Sequence, residues 1–174
     1  MVITNWLAKG DGADGLVLPG EFAKRTIRIY GNVYGNPNFT DGEYVQTTTV
    51  TGYDGHKVAT ACGEEYTLGN PARAYELFMQ ALKEDVLIVK KWSVENGLLL
   101  GNTLEGVPVE GKVSSQCFRN NVCTFKDGRR VFVDWLSMAP DFIPDRGSEE
   151  FFLFGIEKCM PDIFGKHFLM FKRH

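Results

Sequence analysis

The sequence predicts an α+β protein, built mostly of antiparallel sheet or small barrel-like β units with two helices. Glycine is frequent, at 19 of 174 residues, and separates short segments rich in β-branched and aromatic residues. Only two segments, near residues 71–82 and 148–160, have apolar residues at helical spacing. A weaker copy of the first β-rich pattern returns after residue 97, which predicts an internal duplication.

Composition and length indicate one folded domain over residues 1–174, with pseudo-repeat units at 21–85 and 86–174. Hydrophobic residues make up 44% of the chain, which is enough for a core. No apolar stretch approaches the roughly 20 residues that cross a bilayer, and no basic start with an apolar run precedes the domain. We therefore expect a cytoplasmic protein that does not bind membranes.

The first half of the chain contains the clearest strand signals. Residues 26–34 alternate, with Ile27, Ile29 and Val33 on one face and Tyr34 on the polar face. Further strands are predicted at residues 43–51, 57–61 and 66–68, with a hairpin turn at Asp54-Gly55. The pattern predicts no element for the short apolar patch at residues 2–7.

The first helix is predicted to begin at Asn70-Pro71, because asparagine caps helices and proline suits the first helical position. Strands follow at residues 85–94, 98–100, 112–118, 122–125 and 130–136. The second helix is predicted at residues 148–160, where apolar side chains surround the axis, and a last strand at 168–171. A helix that is apolar all round needs a second layer or a second chain to cover it, which allows a homodimer.

The internal echo consists of short matches in the same order. Gly31-Asn32 returns as Gly101-Asn102, Gly42 as Gly111, residues 58–60 as 122–124, and Gly63 as Gly128. These matches predict two β-rich units that are each followed by a helix.

Residues 31–42, GNVYGNPNFTDG, and the later segments VQTT, VATA and YTLG also carry a resemblance. This stretch resembles a module of small uncharacterised bacterial and mobile-element proteins, with the pattern G-x-x-x-G-x-P-x-F-x-D-G and then Y-x-L-G. The resemblance covers about a quarter of the chain. It implies a bacterial or phage origin and no known activity.

The catalytic and metal signals are weak. The four cysteines form no C-x-x-C pair, so neither a zinc site nor another metal or cofactor is predicted. Cys62 and His56 lie on one hairpin, which leaves open a small thiol-dependent hydrolase that uses this pair. No phosphate-binding loop, nucleophile elbow or dinucleotide fingerprint is present in the sequence.

Aromatic residues in loops and on the second helix predict a surface for a protein partner. The candidate partner-binding residues are Phe39, Tyr53, Phe142, Phe152 and Phe154. The leading hypothesis is a non-catalytic binding protein, such as a mobile-element modulator or anti-CRISPR-like inhibitor of a host defence complex.

A β-barrel that binds single-stranded nucleic acid is a further alternative, through the basic pairs at residues 90–91, 129–130 and 172–173. The net charge of −3 does not favour it.

Overall fold

The computed structural model describes residues 1–11, 14–84, 86–114, 121–137 and 139. The chain divides into two compact units, Met1–Glu76 and Leu77–His174. Each unit is built on one mixed β-sheet. No helix in the described part of the chain is both long and apolar enough to cross a bilayer.

The first unit contains a six-stranded sheet. Its strands are β1 (Val2–Gly10), β2 (Ile27–Tyr34), β3 (Glu43–Gln46), β4 (Val50–Tyr53), β5 (Lys57–Thr60) and β6 (Glu65–Leu68). The order across the sheet is β3-β2-β1-β6-β5-β4. Every neighbouring pair is antiparallel except β1 and β6, which run parallel. The first strand of the chain is therefore central in its sheet.

A bulge in β1 explains why its sequence pattern predicted no strand. The pairing of β1 with β2 shifts register between Thr4 and Leu7, and Asn5 has a φ of 49°. Trp6, Leu7 and Ala8 are consecutive and all buried. A bulge adds one residue to one strand and disturbs the alternation that a regular strand shows, so the two-residue periodicity is lost at this point.

Trp6 connects the bulged strand to the chain beyond β6. Its indole Nε1 donates to the carbonyl oxygen of Gly69 at 2.8 Å, and its ring lies 4.9 Å from the ring of Tyr75. The Tyr75 hydroxyl donates to the carbonyl oxygen of Val17 at 2.5 Å. Burial and these bonds fix the core of the first unit around β1.

The predicted helix is present as α1, Arg73–Lys83. It begins at Arg73 rather than at the predicted Asn70-Pro71, because Pro71 forms a parallel bridge with Trp6 and is not part of the helix. Its buried positions are Ala74, Tyr75, Phe78 and Ala81. This i, i+1, i+4, i+7 spacing forms one apolar stripe, which is the feature that the sequence displayed.

The second unit contains a five-stranded sheet. Its strands are β7 (Leu87–Glu95), β8 (Leu98–Asn102), β9 (Pro108–Lys112), β10 (Val122–Thr124) and β11 (Arg130–Val133). The order is β10-β11-β7-β8-β9, with β7 and β11 parallel and the other pairs antiparallel. A 3-10 turn, Trp135–Ser137, follows β11.

Trp92 on β7 has a fixed partner in the core of the second unit. Its Nε1 donates to the carbonyl oxygen of Asp134 at 2.6 Å. The Asp134 side chain is 0% exposed and its Oδ2 lies 3.6 Å from Nζ of Lys90. A buried carboxylate needs such a partner, because desolvation of an unpaired charge is costly.

The structure corrects several parts of the predicted fold. The two sheets are open, so the barrel-like description is wrong; β3 and β4 are the edges of one sheet, and β9 and β10 the edges of the other. The described residues contain one α-helix. The second predicted helix, at 148–160, and the strand at 168–171 lie outside the described residues.

Two strand boundaries also differ from the sequence prediction. The segment predicted as one strand at 43–51 forms β3 and β4, with a break at residues 47–49. Of the strand predicted at 112–118, Lys112 is the last residue of β9, Pro108–Lys112, and Val113 forms a bridge with Phe125, whereas residues 115–118 lie outside the described residues. At the break after β3, Thr47 is buried; its hydroxyl accepts the backbone N–H of Ile29 at 3.0 Å, and its own N–H donates to the carbonyl oxygen of Ile29 at 2.9 Å.

Candidate functional site

The candidate site lies where β1 begins and β2 ends, in the first unit. Val2 and Tyr34 are paired across these two strands, and their side chains are 38% and 43% exposed. Met1, at 37%, precedes Val2, and Phe39, at 36%, lies in the loop after β2. We call these four residues the apolar row. They are the exposed large hydrophobic residues that the structure describes in this unit.

The β2–β3 loop, residues 35–42, presents Phe39 on an ordered backbone. The N–H of Gly35 donates to Oδ1 of Asp41 at 2.8 Å. The N–H of Phe39 donates to the carbonyl oxygen of Asn36 at 3.2 Å, and that of Gly42 donates to Val33 at 2.7 Å. These bonds across the loop hold Phe39 in place beside the end of the sheet.

Asn36 connects this loop to the turn between β5 and β6. Its side chain is 3% exposed, and its Nδ2 donates to Oε1 of Glu64 and to the Tyr66 hydroxyl oxygen, both at 3.0 Å. The Tyr66 hydroxyl in turn donates to Oε2 of Glu64 at 2.5 Å. Hydrogen-bond donors to a carboxylate favour its ionised form. The bond from Tyr66, and to a lesser extent that from Asn36, therefore lowers the pKa of Glu64 below 4.5.

Four carboxylates form an acidic rim next to the apolar row: Asp41, Glu43, Glu64 and Glu65. Glu43 begins β3, and Glu65 begins β6. In the described part of the chain no Lys, Arg or His lies within ion-pair distance of any of the four. The rim is therefore a negative surface without internal neutralisation.

Cys62 lies in the same β5–β6 turn and has an exposed thiol. The hydroxyl of Thr48 donates to its Sγ at 3.2 Å, and Thr60 Oγ1 lies at the same distance. Hydrogen bonds from Thr48, then Thr60, then the backbone N–H of Glu64 lower the pKa of the thiol below 9.0, although the Glu64 charge opposes this. Sγ lies 3.6 Å from Oε2 of Glu64.

His56 does not reach Cys62. His56 immediately precedes β5, and Cys62 comes two residues after its end, so the two residues lie at opposite ends of that strand. With about 3.3 Å per residue, the separation along β5 is far beyond hydrogen-bond reach. The backbone N–H of His56 donates instead to Oδ1 of Asp54 at 2.8 Å, within the hairpin turn. The structure thus does not form the Cys62–His56 pair.

The other predicted site residues have different environments. Phe39 is exposed, whereas Tyr53 is half-buried and its ring meets the ring of Phe22 edge-on at 5.0 Å. Phe142, Phe152 and Phe154 lie outside the described residues. One of the five candidate partner-binding aromatic residues, Phe39, is therefore part of the apolar row.

Sequence analysis did not identify Tyr34 and Val2 as site residues. The signal for Tyr34 was present, because strand alternation placed it on the polar face of β2. Val2 gave no signal, since β1 was not recognised as a strand. Glu64 and Asn36 are also new, because only the folded chain brings residues 28 positions apart into contact.

No group of three or more metal-ligating side chains is found among the described residues. Of the basic pairs that predicted nucleic-acid binding, 172–173 lies outside the described residues, and the other two are partly engaged within the second unit. Lys90 is paired with Asp134, and Arg129 lies 2.8 Å from Asp127 and 5.0 Å over the ring of Phe125. Neither cation is a free phosphate contact.

Comparison of the chain with protein-family profiles, with curated proteins and with solved structures found no match.

Proposed function

We propose that this protein is a non-catalytic binding protein that acts through a protein partner, and that the apolar row is its contact surface. The observation that carries the proposal is the exposure of four apolar side chains at one end of a sheet: Val2 and Tyr34, which are paired across β1 and β2, Met1, which precedes Val2, and Phe39 in the loop after β2. Exposed apolar side chains rimmed by polar groups are typical of interaction sites. Tyrosine and phenylalanine also give large contact areas at low entropic cost.

A protein partner fits this surface better than nucleic acid does. The four rim carboxylates would repel phosphates, whose neutralisation by Lys and Arg dominates nucleic-acid affinity. The apolar row offers anchors of the kind that dominate protein interfaces. The resemblance of residues 31–69 implies a bacterial or phage origin, and by analogy with other mobile-element proteins we propose a partner that belongs to the host or to its defence complexes.

Capture of the partner and its loss on substitution test the proposal. We expect immobilised wild-type protein to retain a partner from a bacterial lysate, and the purified partner to bind in isothermal titration calorimetry. Tyr34→Asp and Phe39→Asp should each weaken binding by about 2 kcal/mol, the size of an interface hot spot. Circular dichroism should show that both variants stay folded, because both side chains are exposed.

Leu100→Asp is the matched control. Leu100 is also an exposed large hydrophobic residue, at 46%, but it lies on β8 in the second unit. It should bind as wild type does. Equal loss in Leu100→Asp and Tyr34→Asp, or wild-type affinity in both row variants, would refute the apolar row as the contact surface.

A second candidate function is covalent chemistry at Cys62, which its exposed thiol and lowered pKa favour. The thiolate would attack an activated acyl carbon, form a thioester and release the leaving group; water would then hydrolyse the thioester. Glu64, rather than His56, is the carboxylate or imidazole nearest to Sγ. Its lowered pKa makes it a weak base, so this candidate ranks below the binding function.

Hydrolysis of p-nitrophenyl acetate separates the two candidates. A thiol-dependent hydrolase should show an initial burst of one p-nitrophenolate per protein, followed by steady turnover, and Cys62→Ala should abolish both. If the binding proposal is right, steady turnover should be absent, and Cys62→Ala should retain partner affinity.

We also infer that the two units are copies of one ancestral unit. The order β3-β2-β1-β6-β5 in the first unit has the same connectivity as β9-β8-β7-β11-β10 in the second. In both, the first strand pairs in parallel with the last. The predicted homodimer through residues 148–160 stays a prediction, because that segment lies outside the described residues.

A further inference from the structure

We propose that the apolar row binds a cationic segment of its protein partner, in which Lys or Arg side chains flank an apolar anchor. This inference rests on the proposed function and adds the chemistry of the partner. Three features support it: the charge distribution along the chain, the position of the rim carboxylates, and their freedom from internal ion pairs.

The charge distribution is one-sided around the row. Residues 29–72 contain a single Lys or Arg, Lys57, against five carboxylates: Asp41, Glu43, Asp54, Glu64 and Glu65. Lys57 pairs with Thr67, which pairs with Val2, so it lies two strands from the row on the side away from the β2–β3 loop. The other Lys and Arg residues of the first unit lie outside this segment, and the amino group of Met1 is the one positive charge within the row itself.

The rim carboxylates lie on both sides of the exposed side chains. Asp41 and Glu43 follow Phe39 along the chain, and Oε2 of Glu43 accepts the backbone N–H of Thr40, the residue after Phe39, at 3.2 Å. On the other side of the row, Thr67 of β6 pairs with Val2, and Glu65 lies two residues before Thr67 on the same strand. Glu64 joins the two groups through its bond to Asn36. A segment that crosses the row therefore meets a carboxylate at either end.

These carboxylates are available to a partner. Asp41, Glu43 and Glu65 are exposed, and none of the four rim residues has a cation within ion-pair distance in the described structure. They are not close enough together to form a metal site, since no group of three ligating side chains is found among the described residues. Separated like charges around an apolar centre are complementary to a basic polypeptide, and such complementarity directs partner choice and association rate.

Two synthetic peptides of opposite charge test the inference on the full chain. The basic probe alternates lysine with leucine and phenylalanine over nine residues; the acidic probe has glutamate in place of lysine. Each is titrated into isotopically labelled protein, with amide shifts followed by NMR. We expect the basic probe to shift amides in residues 1–5, 31–46 and 60–68, and to bind at least about tenfold tighter than the acidic probe.

Charge reversal supplies the matched controls. Glu43→Lys combined with Glu65→Lys should weaken binding of the basic probe by about tenfold or more, and raising salt should weaken it in the wild type. Glu95→Lys makes the same kind of charge change at an exposed position at the end of β7. It should alter the affinity less than about twofold, because Glu95 is not one of the rim carboxylates.

Equal or tighter binding of the acidic probe, or an equal loss in Glu95→Lys, would overturn the inference, as would the absence of shifts at these amides with the basic probe. The captured partner separates this failure from failure of the proposed function. If Tyr34→Asp abolishes partner binding while charge reversal and salt leave it unchanged, the binding function stands and the cationic partner is wrong. If Tyr34→Asp has no effect, both are wrong.

Discussion

The two units share a backbone design, but their corresponding turns hold different chemistry. In the first unit, the N–H of Thr60 donates to the carbonyl oxygen of Glu64 across a turn that contains Gly63, whose φ is 86°. In the second, the N–H of Phe125 donates to the carbonyl oxygen of Arg129 across a turn that contains Gly128, whose φ is 92°. Glycine is favoured in both turns because other residues rarely adopt such a φ.

The side chains on these two turns determine what each can do. The first turn places the Cys62 thiol beside the Glu64 carboxylate and the Tyr66 hydroxyl. The second pairs Asp127 with Arg129, whose guanidinium also donates to the carbonyl oxygen of Glu110 at 2.7 Å. Similar backbone bonds therefore form both turns, while their side chains differ, and of the two turns the first carries an exposed thiol.

The largest expected difference is in cysteine reactivity. Burial raises the pKa of the Cys123 thiol to about 11, whereas hydrogen bonds from Thr48, Thr60 and the Glu64 amide lower that of Cys62 below 9.0. At neutral pH the thiolate fraction therefore differs by at least about a hundredfold. Iodoacetamide should modify Cys62 rapidly and Cys123 only on unfolding, as mass spectrometry of a Cys117→Ser, Cys159→Ser protein would show.

Thr48→Val should shift the pH dependence of Cys62 alkylation towards higher pH, because it removes the largest stabilising bond to the thiolate. An unchanged pH profile would mean that the two hydroxyls do not set the reactivity, and that exposure alone distinguishes the cysteines.

Substitution of the two glycines that contact the bulged strands, Gly31 and Gly101, should have the next largest effect, a loss of stability. A Cβ at Gly31 would lie 2.7 Å from the carbonyl oxygen of Thr4, and one at Gly101 would lie 2.3 Å from Cγ1 of Val89. Each alanine substitution should lower the free energy of unfolding by about 3 kcal/mol, in line with overpacking of a filled core. Urea unfolding followed by circular dichroism measures this.

Gly20→Ala is the control for these glycines, because a Cβ there meets nothing within 4 Å and its φ is not positive. It should leave stability nearly unchanged. If Gly31→Ala is harmless while Gly101→Ala is not, the two bulges are not equivalent and the comparison of the units fails at this position.

Replacement of the two core tryptophans should have a smaller, matched effect. Trp6→Phe and Trp92→Phe each remove an indole N–H that donates to a backbone carbonyl, that of Gly69 or Asp134. We expect each to cost about 2 kcal/mol, from the lost bond and the partly empty space. Chemical unfolding of the two single variants checks this, and a cost confined to one would show that the shared bond stabilises only one unit.

The smallest effects concern the carboxylates of the two turns. The pKa of Glu64 is lowered by Tyr66 and Asn36 in the folded protein. Its stabilisation is therefore fully present above the unfolded value near 4.5, and it is lost as pH falls through the lower folded pKa. Tyr66→Phe should destabilise the protein by about 1 kcal/mol at pH 7, and the difference from wild type should shrink in acid.

Asp127 in the second unit has its pKa lowered by the Arg129 side chain and by its backbone N–H. Its contribution has the same pH sign, present above about 3.8 and lost below the folded pKa. Because the group is fully exposed, Asp127→Asn should move the urea midpoint less than Tyr66→Phe does. The reverse order in midpoints measured from pH 3 to 7 would contradict this part of the comparison.

Local patterns predicted most of the elements. Alternation indicated β2, the Asp54-Gly55 turn indicated the hairpin of β4 and β5, and the apolar stripe indicated α1. Strand β1 could not be predicted because its bulge removes the alternation. The parallel pairing of β1 with β6 could not be predicted either, since nothing local to either strand specifies a partner 65 residues away, as Ile3 and Leu68 are.

When the strands of the two units are aligned by their shared order, several of the predicted sequence matches are out of register. Gly31 and Gly101 both lie against the bulged strand of their unit. However, Val58 pairs with Tyr66 and Cys123 with Val131, so Val58 corresponds to Cys123 rather than to Val122. Gly42 and Gly111 do not correspond, because Val45 and Val109 are the residues opposite Gly31 and Gly101. Loop lengths differ between the units, and the sequence alone could not show where one unit has extra residues relative to the other.

The candidate site was the least predictable part. Phe39 was identified because an aromatic side chain in a glycine-rich loop is difficult to bury. The contacts of Asn36 with Glu64 and of Thr48 with Cys62 join segments 28 and 14 residues apart. Such contacts depend on tertiary structure, and neither residue type is unusual in a loop or turn.

The central position of β1 has a consequence for the making of the protein. On the ribosome, Ile3 is translated 65 residues before its parallel partner Leu68, a wait of about 3–13 s at typical rates of synthesis. Until then β1 can pair only with β2, and its other edge is exposed to chaperones and to neighbouring nascent chains. In the second unit, Val89 is translated 44 residues before its parallel partner Val133. The edge of β7 is therefore unpaired for a shorter time during translation than the edge of β1.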